Sequence, residues 1–207
     1  MKEASTLVIL GAGGHGKVVA DAALASGGWQ RVVATDRNPA RCQGELLPGV
    51  ALIPLADALA LEDAAFHVAI GSADSRERET GQLGGRALAS VVHPSASVSP
   101  HAVVEDGCFI AAQAVLAPGA TLQRGIILNH GAVVDHDVQV GAFSHVAPRS
   151  ALGGGVRVGH GVLVGAGANV LPGLRIADAV VIGAGAVVIG DIAEAGSYAG
   201  VPARRVR

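Results

Sequence analysis

Between Asn129 and His145, a run of small and apolar residues is interrupted by Asn129, His136, Asp137 and His145. Imidazole is the side chain whose ordinary pKa lies nearest neutrality, which suits it to take a proton from an attacking amine or hydroxyl. The adjacent carboxylate of Asp137 can hold the ring in one tautomer and stabilise the imidazolium. Neighbours in sequence point to opposite sides of a strand, so the pairing requires a bend in the backbone or help from another subunit. His136 is the candidate base and Asp137 its support. The competing reading, a hydrogen-bonded or solvated surface histidine, is the one given to His93, His101 and His160.

A second constellation opens the chain. GAGGHG at positions 11–16 sets Gly11, Gly13 and Gly16 in G-x-G-x-x-G spacing, and Asp36 follows twenty residues after Gly16. Such glycines let backbone amides approach a phosphate at a helix N-terminus, while the carboxylate reaches a ribose hydroxyl. The same glycines also make a tight strand-to-helix turn without a ligand. Apolar strands at Thr6–Leu10, Arg31–Ala34 and His67–Ile70 alternate with helices at Gly16–Ala25, Leu55–Leu61 and Ser75–Leu88, a short βαβαβ sheet of Rossmann type. The segment is too short for the double half that a dinucleotide spans, so a nucleotide-sugar fits better.

His136 belongs to a different kind of scaffold. Counting back from Val188 in steps of six, Val, Ile or Leu stands at seventeen consecutive stops as far as Val92. This is the hexapeptide signature of a parallel β-helix. The fourth position after each aliphatic is usually Ala, Ser, Cys or Val, and both positions are expected to point inward. Three hexapeptides make one triangular coil, so residues eighteen apart stack at about 4.8 Å. His136 then shares a column with Pro100, Pro118, Gly154 and Pro172, which leaves its imidazole uncrowded. The change of texture divides the chain into an α/β domain at 1–90 and a β-helical domain at 91–207.

Composition narrows the partners. A net charge of −2 without a basic run before the tail argues against nucleic acid. The apolar stretch Thr6–Leu10 is too short for a signal or a membrane span, and the two cysteines, Cys42 and Cys108, read as free thiols in a reducing cytosol. A cytoplasmic protein without membrane contact is expected. Cys108 occupies an inward corner and Cys42 has no histidine near it in sequence, so direct transfer is favoured over a covalent intermediate.

GAGGHGKVVAD, VAIGSADSR, VVHPSASVSP, ILNHGAVVDHDVQVGAFSHVAP and YAGVPARRV together resemble the sugar acyltransferase family. That family includes sialic acid O-acetyltransferases and the N-acetyltransferases of UDP-4-amino-sugars and GDP-perosamine. The resemblance implies left-handed coils, where the usual crossover rule favours right-handed ones. It implies acetyl-CoA as co-substrate, His136 as proton acceptor and Asp137 as the acidic neighbour, which is Glu in some members. It places His145 at the thioester, Asn129 in the same cleft, and Ala166 and Ala184 along the coenzyme. Gly13, Gly14, His15, Asp36 and Gly71 fall on its nucleotide-sugar contacts. Arg157 and Arg175 stack one coil apart and are candidates for the coenzyme phosphates, as are the tail residues Arg204, Arg205 and Arg207.

The expected activity is acetyl transfer from acetyl-CoA to the amine of a nucleotide-linked amino-sugar, with O-acetylation of a sialic-acid-type sugar as the alternative. Hexapeptide coils also host zinc carbonic anhydrases, but no pair among His93, His101, His130, His136, His145 and His160 has the five-residue separation seen there. No metal is therefore expected. A non-catalytic nucleotide-sugar module is the third class. Flat apolar walls such as the column Ile127, His145, Leu163, Val181 favour lateral packing, and the resemblance implies a homotrimer.

Overall fold

The computed structural model describes residues 5–206 and divides between Pro94 and Ser95 into two compact units. The first holds a five-stranded sheet. β1 (Thr6–Leu10) pairs in parallel with β2 (Arg31–Thr35) on one side and with β5 (Ala64–Val68) on the other, and β4 (Val50–Leu52) extends β2. β3 (Glu45–Leu47) closes the edge antiparallel to β4. β1 is almost wholly buried because both of its edges are paired, and its Leu-Val-Ile-Leu run reads accordingly as continuous rather than alternating.

Three elements depart from expectation. The β3–β4 hairpin turns through Pro48–Gly49, with Gly49 at φ +86, and its strands are too short to leave a periodic signal. β5 starts at Ala64 instead of His67, and Ile70 lies beyond its end. α3 (Ala73–Gln82) stops well before Leu88, because Gly84 and Gly85 both adopt positive φ. Leu88 instead bridges to Phe66 beside β5. The remaining helices are α1 (Gly14–Ser26) and α2 (Leu55–Ala60). No helix of the described residues is long and apolar enough to cross a membrane.

The second unit is a parallel β-helix with three walls. The first wall runs from Ser97–Val98 through Val133–Val134 to Val187–Val188, the second from Val103–Val104 through Gln139–Val140 to Arg175–Ile176. The third includes Phe109–Ile110, Ile127–Leu128, His145–Val146, Leu163–Val164 and Val180–Ile182, and ends on Gly196–Ala199 and the antiparallel Arg204–Arg205. Between Ser97 and Val188 the coil pairings join residues eighteen apart, as in Val115↔Val133↔Ala151, whereas the last one, Ile182↔Tyr198, joins residues sixteen apart. From Ile110 onward the six-step aliphatics are buried, and their small partners, Cys108, Ala114, Ala132 and Ala168 among them, fill the corners. Val92, the first stop of the pattern, is exposed. There Val91 takes the buried position, and both precede the division at Pro94.

Candidate functional site

His136 stands on the corner between the first and second walls, with its side chain 62% exposed. Its Nδ1–H donates to Asp137 Oδ2 at 2.9 Å. Asp137 adopts φ +60, the left-handed conformation that Asp tolerates better than most residues. That turn resolves the strand-alternation problem, because it swings the carboxylate back to the ring that precedes it. The pair occupies room left by two glycines of neighbouring coils. A Cβ at Gly154 would lie 2.4 Å from His136 Nε2, and one at Gly119 would lie 2.5 Å from Asp137 Oδ1. The hydrogen bond to Asp137, and after it the charge of Asp135, hold the imidazole above the ordinary histidine pKa. Asp135 also accepts from the His136 backbone N–H at 2.7 Å. With Nδ1 committed to Asp137, Nε2 is the nitrogen left to accept a proton.

Asn129 and His145 form a second pair elsewhere. Asn129 Oδ1 accepts from His130 N at 2.8 Å, which turns its Nδ2 toward His145 Nε2 at 3.1 Å. His145 lies on the third wall, and Asn129 sits where that wall turns into the first. Ala166 and Ala184 are exposed on the same corner, in one column with His130 and Pro148. In a triangular prism this corner and the third wall do not meet the His136 corner. His136 lies opposite the wall that carries His145, with the filled core between them.

Arg157 and Arg175 do stack, but on the second wall. That wall faces away from the corner of Ala166 and Ala184, so the five residues expected along the coenzyme split into two groups on a single chain. Arg157 instead lines an open polar groove of about 490 Å3 with Thr121, Gln139, His160 and Asp178. His160 also meets Phe143 edge-on at 5.9 Å. Among the described residues no group of three or more His, Cys, Asp or Glu is placed to hold a metal ion.

In the first unit Gly13, Gly14, His15, Asp36 and Gly71 all line one cleft of about 440 Å3 over the C-terminal ends of β1 and β5. The glycines have separate tasks. A Cβ at Gly16 would lie 1.9 Å from Gly11 O, so Gly16 lets α1 pack against the strand end. At Gly13 and Gly14 a Cβ would meet nothing within 4 Å, so the space above them belongs to the cleft. Asp36 is partly engaged, since its Oδ2 accepts from Ala12 N at 3.0 Å and its Oδ1 from Asn38 N at 2.9 Å. It therefore fixes the glycine loop to the end of β2, leaving its remaining lone pairs for a ligand.

Sequence reasoning passed over Arg76, although it lies within VAIGSADSR. It is 1% exposed, and its Nη1 donates to Ile70 O at 2.7 Å and Gly71 O at 3.0 Å, holding the loop that borders the cleft. A charged residue on a polar helix gives no sign of burial when read alone. Arg207 lies outside the described residues.

Residues 6–83 match the PglD N-terminal domain family. Over 98% of its length the chain is 36% identical to the acetyltransferase domain of PglB from Neisseria gonorrhoeae FA1090, all of which is covered, with a TM-score of 0.92. That domain has also been solved with acetyl coenzyme A, at the same identity and TM-score. GDP-perosamine N-acetyltransferase from Caulobacter crescentus, solved as a histidine-to-alanine variant with CoA and GDP-perosamine, is 34% identical. There 97% of this chain and 96% of that one are covered, with a TM-score of 0.88. Similarity of this degree across both units shows that the chain belongs to the sugar acyltransferase family, with a small α/β domain followed by a left-handed β-helix, and that it is an acyltransferase.

Proposed function

We propose that the protein is an acetyl-CoA-dependent N-acetyltransferase of a nucleotide-linked amino-sugar, of the UDP-4-amino-sugar or GDP-perosamine class, with His136 as general base. The observation that carries this reading is the His136–Asp137 pair, with Nδ1 bound to the carboxylate and Nε2 standing over Gly154. Similarity to a PglB domain solved with acetyl coenzyme A and to a transferase solved with CoA and GDP-perosamine supports the choice of donor and acceptor. In the reaction the sugar amine attacks the thioester carbonyl as Nε2 takes its proton. The tetrahedral intermediate then collapses, the C–S bond breaks, and the imidazolium returns the proton to the departing thiolate. Asp137 stabilises the imidazolium in between. The glycine-loop cleft of the first unit binds the nucleotide through Gly13, Gly14, His15, Asp36 and Gly71.

The functional assembly we infer is a homotrimer. His136 and the pair Asn129–His145 occupy opposite sides of one prism, so a single substrate meets both groups only between two chains. The outward columns favour two walls for that contact. Leu163 and Val181 are exposed on the third wall, and Val115, Val133 and Ala151 face outward from the first, whereas the second presents Thr121, Gln139, Arg157 and Arg175. The exposed apolar side chains of these two walls suit lateral packing of copies, and a threefold ring closes symmetrically.

Free-thiol release from acetyl-CoA across a panel of UDP- and GDP-linked amino-sugars tests the activity. Turnover with at least one nucleotide-linked amine is expected, and His136→Ala is expected to lose about 10² to 10⁴-fold in kcat while retaining nucleotide-sugar affinity. Acetylation of free sialic acid with no turnover of any such amine would replace this reading by O-acetyl transfer.

A further inference from the structure

We propose that Arg37 recognises the phosphate adjoining the ribose of the nucleotide, and that Glu79 is the positioning residue that holds it there. The assignment rests on the α/β cleft being the nucleotide site. The residues that α3 buries are two opposite charges, Arg76 and Glu79. A buried ionic contact adds little stability over apolar packing, so what these two contribute is placement. Arg76 fixes the loop at Ile70 and Gly71. Glu79 meets Arg37, just past the end of β2: its Oε2 accepts from Arg37 Nε at 2.7 Å, while Arg37 Nη2 donates to Gln82 Oε1. Arg78 Nε stands 3.9 Å from the other carboxylate oxygen.

Arg37 also stands where two cavities meet. With Asp36 it lines both the cleft of about 440 Å3 over the glycine loop and a second cavity of about 510 Å3, whose other walls include Pro39, Pro54, Leu55 and Ala56. The apolar side chains of the second cavity suit a flat ring. A ligand that fills both has to pass Asp36 and Arg37 at the joint. A nucleotide carries its parts in that order, with the base in the second cavity, the ribose beside the carboxylate and the phosphates running toward the glycine loop. The first phosphate then lies at Arg37. Because Nε and Nη2 are committed to α3, the guanidinium is held in one place and the N–H groups of Nη1 remain for a phosphate oxygen. The amides at Gly13 and Gly14 are left to take a second phosphate. Charge agrees with an anionic ligand, since Arg37, Arg41 and Arg78 outnumber Asp36 and Glu79 by one around the cleft.

Calorimetric titration of the full chain with uridine and guanosine, their monophosphates and their diphosphates tests the assignment. For at least one base, the unaltered protein is expected to gain about tenfold in affinity from the first phosphate and a further gain from the second. Arg37→Gln should abolish the gain from the first phosphate and keep the gain from the second. Glu79→Gln, which frees the guanidinium, should reduce the first gain about threefold. Arg37→Gln leaves Glu79 buried without its nearer cation, so the double variant Arg37→Gln with Glu79→Gln separates folding from binding: its thermal midpoint should recover and its monophosphate affinity should not. No gain from the first phosphate in the unaltered protein, a gain that survives Arg37→Gln, or its return in the double variant would overturn the role of Arg37. An unchanged gain in Glu79→Gln would overturn the positioning role. The titration involves no turnover, so a protein that binds as expected yet acetylates no nucleotide-linked amine would overturn the proposed activity alone.

Discussion

The two candidate sites are built in opposite ways. In the α/β unit the cleft is walled by backbone, with glycines at Gly13 and Gly14, a loop held by buried Arg76, and a carboxylate already tied to Ala12 N and Asn38 N. On the coil the candidate base is one exposed side chain with one exposed partner, and the scaffold contributes only the gaps left by Gly119 and Gly154. The first design takes its specificity from many weak groups and tolerates adjustment, whereas the second concentrates its chemistry in one proton position and tolerates none.

Substitutions at glycine sharpen that contrast. Gly154→Ala puts a methyl group 2.4 Å from His136 Nε2, the proposed base, so kcat should fall about 10²-fold while circular dichroism and thermal midpoint stay near those of the parent. A kcat within twofold of the parent would break the claim that the coil site depends on one exact ring position. Asp137→Asn should cost about tenfold in kcat. It should also shift the acid limb of kcat/KM to lower pH, because the hydrogen bond that raises the His136 pKa is lost. A pH profile that keeps its position would show that Asp137 does not tune the base.

In the α/β unit the expected changes are smaller. Gly14→Ala should raise the nucleotide-sugar KM several-fold with kcat retained, because its Cβ enters only the cleft. Gly16→Ala, whose Cβ would meet Gly11 O at 1.9 Å, should instead lose about 1 to 3 kcal/mol of stability in a denaturant titration. A pH-dependent effect concerns His67, buried on β5 with Nδ1 against Ala89 O and its pKa lowered to about 4 by burial. A lowered folded value means that the unfolded chain takes up a proton first. Stability is then complete above about pH 6.5 and declines toward pH 4, by on the order of 3 kcal/mol in all. His67→Asn, which can keep a donor to Ala89 O, should flatten that slope in urea titrations at several pH values.

The coil was legible almost residue by residue, because its period of six is enforced by a core that admits one aliphatic and one small side chain per hexapeptide. Ile110, Leu128 and Val146 land where the spacing puts them. The column arithmetic also found the open neighbour of His136 at Gly154. It did not find the left-handed turn at Asp137, since a positive φ at a non-glycine residue leaves no mark in a hydropathy pattern. Stacking by eighteen puts Arg157 with Arg175 and Ala166 with Ala184, half a coil apart, but does not say which column a ligand follows. In the α/β unit the glycine loop was plain, but the β3–β4 hairpin and the end of α3 depend on turns at Gly49 and at Gly84–Gly85 that periodicity does not register. Arg76 escaped because its burial is decided by a loop it supports, not by its own helix.

The terminal ladder at Ala199 and Arg204 closes a coil that can grow only in whole turns. Eighteen added residues would move the terminal ladder by about 4.8 Å from the level of His145 and keep every column in place, whereas six or twelve would carry it to another wall. The repeat therefore works as a ruler graduated in single coils, and the number of coils after His145 sets how far the terminal ladder stands from that histidine.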